Sequence, residues 1–349
     1  MNARAIADEA RRARIRTSRR LRTALRWKAG MAVYGAIMDL PGGVGRRLMD
    51  RKKHLSTGPD AVMLSITARC SFTCAYCAAA DYPDGKPELT LDEIRAFLAQ
   101  IAASPVNYVF LFGGEPFIRA DVMEIIGESR SWGFTTWATT NGWHTGAREV
   151  REMKRRGLDL LFVSIDSADR ARHDAARGRA GSFDRCVELL DRCRAERLRT
   201  AVFMTVTRET IANGEIGRMA ALCRRRGAGG LHLLVPIPVG RCSPDKSLTD
   251  AEMKLLESQL VPGFVCAEAA IFDRASRPFR CPTLDRQQVF VSHSGEVWPC
   301  CYAGHDVHYG NIRTEPLMTI VDRMFASPFF TQPAAGRCPS CRHAQPRDR

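Results

Sequence analysis

The sequence predicts an α/β protein built on a partial (β/α)6 parallel barrel. Three observations support this prediction: short runs of apolar and β-branched residues alternate with amphipathic helical segments, runs such as 61–66 and 160–165 are almost continuously apolar, and polar motifs directly follow several of them. Continuous apolar runs are typical of parallel strands that are covered on both faces. The six predicted strands are 61–68, 108–112, 135–140, 160–165, 200–207 and 230–235.

A helical segment with an apolar stripe follows each of the first five strands. These segments are 91–102, 121–132, 147–156, 184–196 and 214–226. Beyond residue 245 the pattern changes to Pro-rich loops, a helix at 249–259 and a cysteine-rich tail. We therefore divide the chain into three parts: a basic, helical amino-terminal extension (1–55), a barrel (56–245) and a small cysteine-rich module (246–349).

The positive charge of the chain is concentrated at its amino terminus. Residues 1–54 contain fifteen Lys or Arg and four Asp or Glu, so they carry +11 of the formal net charge of +14. Such an arm suits an anionic membrane surface, an acidic carrier protein or nucleic acid, and a solvated helix is the alternative. The apolar stretch at 29–40 is too short to cross a bilayer. We expect a cytoplasmic protein, with peripheral membrane contact through residues 1–54 as one option.

Three cysteines lie within eight residues after the first predicted strand: Cys70, Cys74 and Cys77. No fourth cysteine or histidine is nearby, whereas a structural zinc site needs four protein ligands. Thiolates are common ligands of iron–sulfur clusters, and three of them leave one iron of a [4Fe-4S] cluster open. The C-x3-C-x2-C spacing, with Tyr76 before the third cysteine, resembles the signature of the radical S-adenosylmethionine (SAM) superfamily.

The resemblance implies that SAM binds to the open iron and is cleaved to a 5'-deoxyadenosyl radical after the cluster receives an electron. It also implies a reducing partner such as flavodoxin or ferredoxin. Further motifs agree with it because each follows a predicted strand, where parallel α/β folds carry their chemistry. On this resemblance the candidate SAM-binding residues are Tyr76, Gly113, Gly114, Glu115, Asn141, Ser164 and Asp166. By contrast, His173 and Asp174 are expected to cap or brace a helix.

Cysteines near the carboxyl terminus predict a second metal site. Their spacing resembles the SPASM module, or the shorter twitch module, of radical SAM enzymes. The ligands that this resemblance implies for one auxiliary [4Fe-4S] cluster are Cys281, Cys300, Cys338 and Cys341. A zinc ribbon is the competing interpretation, because four cysteines also suit tetrahedral zinc. Cys301 could replace a ligand or act as a redox-active thiol, and Cys266 is a reserve ligand.

The leading functional hypothesis is a radical SAM enzyme that abstracts hydrogen from a small molecule or peptide. The outcome would be a net oxidation or cross-link assisted by the auxiliary cluster. The alternative is redox-neutral epimerisation or rearrangement with a structural second cluster. A metal-stabilised nucleic-acid-binding protein is a distant alternative, because basic residues are not interleaved with aromatic ones in any predicted strand. The candidate catalytic residues are His144, Arg241 and Cys301.

Overall fold

The computed structural model describes residues 58–81, 85–267, 282–284, 286–303 and 307–331, together with Glu9, Arg12, Ala13, Ile15 and Arg16. These residues form a nine-stranded sheet with helices packed on one face. Its strands are β1 (Ala61–Thr67), β2 (Tyr108–Gly113), β3 (Thr135–Thr140), β4 (Leu160–Ser164), β5 (Thr200–Thr205), β6 (Leu231–Leu234), β7 (Val265–Ala267), β8 (Gln288–Val291) and β9 (Val297–Trp298).

The strand order is β7-β6-β5-β4-β3-β2-β1-β8-β9. Neighbouring strands are parallel throughout, except that β8 and β9 pair antiparallel. Ala61 at the start of β1 lies opposite Tyr108 on one side and Gln288 on the other, so β8 begins level with β1 and β2. The carboxyl ends of the parallel strands therefore meet at one edge of the sheet.

Capping residues and glycines set the ends of several helices. Thr90 and Glu93 form a capping box, in which the Glu93 N–H donates to Thr90 Oγ1 at 3.2 Å and the Thr90 N–H donates to the Glu93 carboxylate at 2.7 Å. Gly157 ends another helix with a φ of 88°, which favours glycine. The helices are α1 (Leu91–Ile101), α2 (Val122–Ser131), α3 (Ala147–Arg156), α4 (Arg170–Arg177), α5 (Ser182–Ala195), α6 (Arg208–Ala212), α7 (Glu215–Arg226), α8 (Asp250–Glu257), α9 (Leu317–Ala326) and α10 (Pro328–Thr331).

The two faces of the sheet differ in composition, because successive strand residues point to opposite sides. The helix-covered face is aliphatic and fully buried, with Val62, Leu64, Leu161 and Val202 among its members. The opposite face, which we call the inner face, is lined by aromatic rings. Its buried or half-buried rings are Phe110, Phe112, Trp137, Phe162, Phe203, Phe290 and Trp298.

The structure confirms the predicted α/β fold class. The six predicted strands correspond to β1–β6 with ends that differ by two residues at most, and α3 has the predicted bounds. The sequence does not predict strands β7, β8 and β9 or helices α4, α6, α9 and α10. Strands β7 and β8 extend the barrel sheet at both sides, although both follow residue 245. The boundary proposed there stays a prediction.

Part of the amino-terminal extension is described. Its five described residues are helical, and Arg12 Nη1 pairs with Glu128 Oε1 at 2.9 Å. The Arg12 guanidinium also lies 4.5 Å from the ring centroid of Trp132, at the end of α2. The other residues up to position 57 lie outside the described residues, so the partners proposed for this arm stay predictions. No described helix combines the length and apolar character that crossing a bilayer requires.

Replacing Leu161 with Ala tests the aliphatic face. Leu161 is fully buried on β4, and its truncation should lower the free energy of unfolding by about 2–5 kcal/mol. The matched control is Leu255→Ala on α8, because Leu255 is 45% exposed and should change stability by less than about 0.5 kcal/mol. Anaerobic urea denaturation followed by circular dichroism measures both. Equal losses for the two leucines would contradict our assignment of the core.

Candidate active site

The three-cysteine loop (residues 68–77) leaves the carboxyl end of β1 without regular secondary structure. Cys70 is exposed, Cys77 half-buried and Cys74 buried. Cys70 Sγ accepts hydrogen bonds from the Phe72 N–H at 3.4 Å and from Asn141 Nδ2 at 3.9 Å. Asn141 directly follows β3, so one predicted site residue lies beside the first cysteine.

Tyr76, Asp166 and Arg177 form a buried network behind the loop. The Tyr76 hydroxyl donates to Asp166 Oδ2, and Arg177 Nε lies 2.5 Å from the same oxygen. Arg177 Nη2 and the Thr205 N–H donate to Asp166 Oδ1 at 3.0 and 2.9 Å. Asp166 follows β4 and Arg177 ends α4, so the network ties the loop to two other elements. Protein donors occupy both Asp166 oxygens, and the SAM contacts expected of Asp166 and Tyr76 stay predictions.

Helix α4 also contacts the loop through its backbone. The Ala75 N–H donates to the Ala176 carbonyl at 3.2 Å. Gly178 ends the helix with a φ of 65°, and a Cβ at this position would lie 2.3 Å from Thr73 Oγ1. The helix and the loop can therefore approach this closely only because residue 178 is glycine.

His173 and Asp174 hold the segment around Asp166 in place. His173 Nδ1 accepts the Asp166 N–H at 3.2 Å. Burial lowers the pKa of His173 to about 4, so its ring is neutral and can accept this bond at neutral pH. The Asp174 carboxylate accepts the N–H groups of Gly181 and Phe183, at 2.7 and 2.9 Å, where α5 begins. These contacts confirm the bracing and capping roles predicted for the two residues.

Gly113 and Gly114 pack against the end of β1. A Cβ on Gly113 would lie 2.2 Å from the Thr67 carbonyl oxygen, and one on Gly114 would lie 2.2 Å from that of Arg69. The Gly114 N–H donates to Thr67 and the Glu115 N–H donates to Arg69, both at 2.8 Å. The glycines therefore hold the base of the cysteine loop, and their contact with SAM stays a prediction.

Glu115 is 1% exposed and lies between β2 and β3. Its carboxylate accepts hydrogen bonds from the Phe117 N–H at 3.1 Å, the Thr140 hydroxyl at 2.9 Å and the Asn141 N–H at 2.7 Å. Burial still raises the pKa of Glu115 to about 7. A nearby cation would stabilise the ionised form. The ammonium group of SAM therefore fits the position that the resemblance assigns to Glu115.

Ser164 ends β4 on the inner face, two residues after Phe162. Its carbonyl and that of Asn141 accept from the Cys186 thiol, at 3.6 and 3.2 Å. Burial raises the pKa of Cys186 to about 12, so it is a neutral thiol that joins α5 to two strand ends. The half-buried Ser164 side chain stays a candidate for SAM contact.

The three thiols of the loop suit a cationic group. Although Cys70 is accessible to solvent, partial burial of its thiol raises its pKa to about 11, and the charges of Glu115 and the other two thiols act in the same direction. Burial also raises the pKa of Cys74. Positively charged iron would compensate thiolates in this setting. Among the described residues, no three His, Cys, Asp or Glu side chains surround a point that suits one metal ion. Thiolates are the usual ligands of iron–sulfur clusters, and three of them on one loop suit a [4Fe-4S] cluster with one open iron.

His144 and Arg241 both lie at this loop. His144 Nε2 is 3.2 Å from Ser71 Oγ, and burial together with the charge of Arg179 lowers the pKa of His144. The Arg241 N–H donates to the Cys77 carbonyl at 3.0 Å, and its side chain is exposed. The structure thus brings these two of the three candidate catalytic residues to the cysteine loop, while their roles stay predictions.

Cys300 and Cys301 lie near the cysteine loop, on the side of the inner face of the sheet. Buried Cys300 belongs to an apolar cluster with Phe290 and Trp298, and Ala68, at the start of the loop, packs against the same cluster. Cys301 is half-buried at the edge of that cluster. The other three expected ligands of an auxiliary cluster, Cys281, Cys338 and Cys341, lie outside the described residues.

Sequence profiles of known families match both cysteine sites. Residues 64–219 match the radical SAM superfamily, and residues 281–343 match the SPASM iron–sulfur cluster-binding domain. The chain belongs to the radical SAM superfamily. The predicted family and carboxyl-terminal module are thereby confirmed, and the two domains imply SAM and [4Fe-4S] cofactors for this radical SAM enzyme.

Similar proteins carry out different reactions. An AdoMet-dependent heme synthase of Methanosarcina barkeri is 26% identical over 320 residues, which cover 83% of this chain and 90% of the relative. A PqqA peptide cyclase of Gluconobacter oxydans is 27% identical over 278 residues, or 76% of this chain and 77% of the relative. The structure of Streptococcus suis SuiB bound to its precursor peptide SuiA has a TM-score of 0.64 at 14% identity. This match covers 88% of this chain and 78% of SuiB, and it shows a shared fold.

Sequence reasoning missed Arg177, which is buried in the radical SAM site and pairs there with Asp166. Its pairing with Asp166 joins residues eleven positions apart. The only local signal is a basic residue before Gly178, at the end of a helix that the sequence analysis did not predict. Arginine at a helix end is common on protein surfaces, so burial could be recognised only from the tertiary structure.

Replacing Cys70, Cys74 and Cys77 together with Ala should abolish reductive SAM cleavage, because the radical SAM enzyme then loses all the thiolates proposed for its first cluster. The iron content should fall by about four per chain. Anaerobic 5'-deoxyadenosine formation with reduced methyl viologen measures the cleavage. The control is Cys193→Ala, which removes a core thiol. Continued 5'-deoxyadenosine formation in the triple variant would contradict the assignment of the cluster ligands.

Gly114→Ala should displace the cysteine loop, because the new Cβ would lie 2.2 Å from the Arg69 carbonyl oxygen. We expect a loss of about four irons per chain and a matching loss of SAM cleavage. The control is Gly217→Ala on α7, where a Cβ meets nothing within 4 Å. This control should retain iron and gain about 1 kcal/mol of stability. Wild-type iron content in Gly114→Ala would exclude the role of this glycine in holding the loop.

Proposed function

We propose that this radical SAM enzyme oxidises or cross-links a peptide or small-molecule substrate, with an auxiliary [4Fe-4S] cluster on Cys281, Cys300, Cys338 and Cys341. When bound, SAM and the first cluster supply a radical that removes one hydrogen atom, and an auxiliary cluster supplies an acceptor for one electron. A proton must then leave the substrate to complete a two-electron oxidation. The chain itself must position the substrate and accept this proton.

The observation that carries the proposal is the position of Cys300. This buried thiol packs with Phe290 and Trp298 on the inner side of the sheet. The same apolar cluster contacts Ala68 and Ala79, which lie two residues before Cys70 and two residues after Cys77. A group held by Cys300 would therefore lie next to the three-cysteine loop, which we propose as the site of the first cluster. That position suits an electron acceptor better than a remote structural site.

The aromatic inner face supports a substrate with an apolar or aromatic group. Phe162 stacks on Phe203 with ring centroids 4.2 Å apart, and Phe110 packs 5.5 Å from Phe162. Toward the carboxyl ends of the strands, Ser164 and Phe112 are half-buried. Aromatic walls with a few polar groups at the rim are typical of sites that enclose such ligands. A peptide side chain is our preferred substrate group, since the PqqA peptide cyclase and SuiB are both named with peptides.

His144 is our candidate for the group that accepts the proton. Burial, and to a lesser degree the charge of Arg179, lower its pKa from 6.5, so the imidazole is neutral at pH 7 and can accept a proton. Arg241 carries a planar guanidinium that can donate two hydrogen bonds to a carboxylate, so it is better suited to bind such a group of the substrate. Both residues lie at the cysteine loop, as the proposed chemistry requires.

One observation favours a redox-neutral alternative. Cys301 is half-buried beside Cys300, and a thiol can return a hydrogen atom to a substrate radical. In that case the product would have the mass of the substrate, and the auxiliary cluster would be structural. Epimerisation or rearrangement is therefore the second candidate function.

Matched serine variants of the adjacent cysteines separate the two functions. Wild-type enzyme, Cys300→Ser and Cys301→Ser are incubated anaerobically with SAM, reduced methyl viologen and peptides translated from short reading frames beside the gene. For oxidation we expect a product that lacks two hydrogen atoms. Cys300→Ser should lose this product and about four irons per chain, while it still forms 5'-deoxyadenosine. Cys301→Ser should behave like the wild type.

Mass spectrometry in deuterated water identifies the outcome that would contradict oxidation. A product in which deuterium replaces one hydrogen atom of the substrate, with no other change in mass, would support the redox-neutral function. This support would be strongest if Cys301→Ser fails to form that product. Wild-type iron content in Cys300→Ser would exclude Cys300 as an essential ligand of an auxiliary cluster.

A further inference from the structure

A positively charged patch lies beside the three-cysteine loop. It consists of Trp143, Arg179 and Arg185, and we call it the arginine–tryptophan patch. The guanidinium carbons of Arg179 and Arg185 lie 4.1 and 5.4 Å from the Trp143 ring centroid. Phe72 of the cysteine loop packs edge-on against the same indole, with ring centroids 6.0 Å apart. The patch and the loop are therefore in direct contact.

The two arginines of the patch keep their charge uncompensated. Within the described part of the chain neither forms an ion pair, and acidic side chains close in sequence are engaged elsewhere. Asp184 pairs with Arg170 at 2.8 Å, and Asp174 accepts the N–H groups at the start of α5. Stacking on an indole holds a guanidinium in place while its N–H groups can still bind a carboxylate. The patch can therefore bind acidic side chains of a partner protein.

One residue of the patch, Arg185, belongs to a helix on the helix-covered side of the sheet. Arg185 lies on α5, whose residues Leu189 and Leu190 pack in the helix-covered core. At the other end of the patch, His144 follows Trp143 and contacts Ser71, the residue after exposed Cys70. A partner on the patch can therefore reach the cysteine loop from the side of the sheet that α5 covers. The rings proposed to line the substrate site lie on the opposite face, and His144 contacts the loop itself.

We propose that the arginine–tryptophan patch docks a small, acidic electron-carrier protein. The proposal rests on the radical SAM reaction, in which each SAM cleavage consumes one electron. The carrier is oxidised by one electron and the first cluster is reduced by one. Electron transfer between proteins slows steeply with distance, so a carrier must dock where the cluster ligands come closest to the surface. Cys70, the exposed ligand of the three, lies beside the patch.

The charge of the patch also suits the fast binding and release that an electron carrier requires. Electron-transfer complexes are weak and have small interfaces, and charge complementarity mainly speeds their formation. Two uncompensated arginines attract an acidic surface without binding it so tightly that the oxidised carrier is retained. Screening by salt should weaken this attraction.

Charge reversal tests the docking surface. Arg179→Glu/Arg185→Glu is compared with Arg224→Glu/Arg225→Glu, which makes the same change of charge on α7. Arg224 is a matched control because it also stacks on a ring, 4.3 Å from the Phe264 centroid. It lies at the end of α7 that leads into the amino end of β6, away from the cysteine loop.

The first measurement is the affinity of reduced flavodoxin for the full-length, cluster-loaded chain at low and high salt. The second is 5'-deoxyadenosine formation driven either by flavodoxin or by reduced methyl viologen, a small cation. We expect the patch variant to bind flavodoxin about tenfold more weakly, with less dependence on salt. SAM cleavage driven by flavodoxin should fall in parallel, whereas cleavage driven by viologen should match the wild type. The control variant should retain both activities.

Several outcomes would overturn the proposal. Unchanged flavodoxin affinity in the patch variant, or an equal loss in the control variant, would exclude a specific docking site. Loss of viologen-driven cleavage would mean that the patch supports the active site itself. If charge reversal removed binding to phosphatidylserine vesicles but not to flavodoxin, the patch would be a membrane contact. Failure of the wild type to cleave SAM with viologen would instead count against the radical SAM reaction, independently of the binding result.

Discussion

The buried ion pair between Asp166 and Arg177 fixes the geometry on which the site depends. Two charges removed from water are stable together only when hydrogen bonds satisfy them, and Tyr76 and Thr205 supply these bonds to Asp166. Loss of one partner from such a pair typically costs about 3–5 kcal/mol. The pair joins the end of β4, the end of α4, the end of β5 and the cysteine loop. A loop without regular structure is thereby held as rigidly as a cluster ligand set requires.

The division of the sheet into two faces separates stability from chemistry. The aliphatic, helix-covered face buries Leu161 and its neighbours regardless of what the enzyme acts on. On our proposal the substrate contacts the inner face, which carries the rings, Ser164 and the approach to Cys300, so substitutions there would change the substrate and leave the aliphatic core in place. Relatives with 26% and 27% identity have different names and activities, which agrees with this division.

The sequence was sufficient to predict those features that depend on residues close together in the chain. Strands such as β1 and β4 have almost continuous apolar runs, and Cys70, Cys74 and Cys77 lie close together in the chain. Strands β7 and β9 have three and two residues, too few for any periodicity to be recognised. The pairing of β8 with β1 and the burial of Arg177 depend on contacts between segments distant in the fold. The sequence suggested that Gly113 and Gly114 approach a ligand, and the structure adds their close approach to the backbone of Thr67 and Arg69, because a tight turn also requires the absence of a side chain.

The parallel pairing of β8 with β1 affects how the protein matures in the cell. The strand that carries the cysteine loop is among the first to leave the ribosome, but its neighbour, Gln288–Val291, follows more than two hundred residues later. At a translation rate of about 5–20 residues per second, the edge of β1 that pairs with β8 stays unpaired for about 10–50 seconds. Long-range parallel pairing is also slow to form. Iron and sulfide delivered before β8 has been synthesised would meet thiols whose surroundings are incomplete.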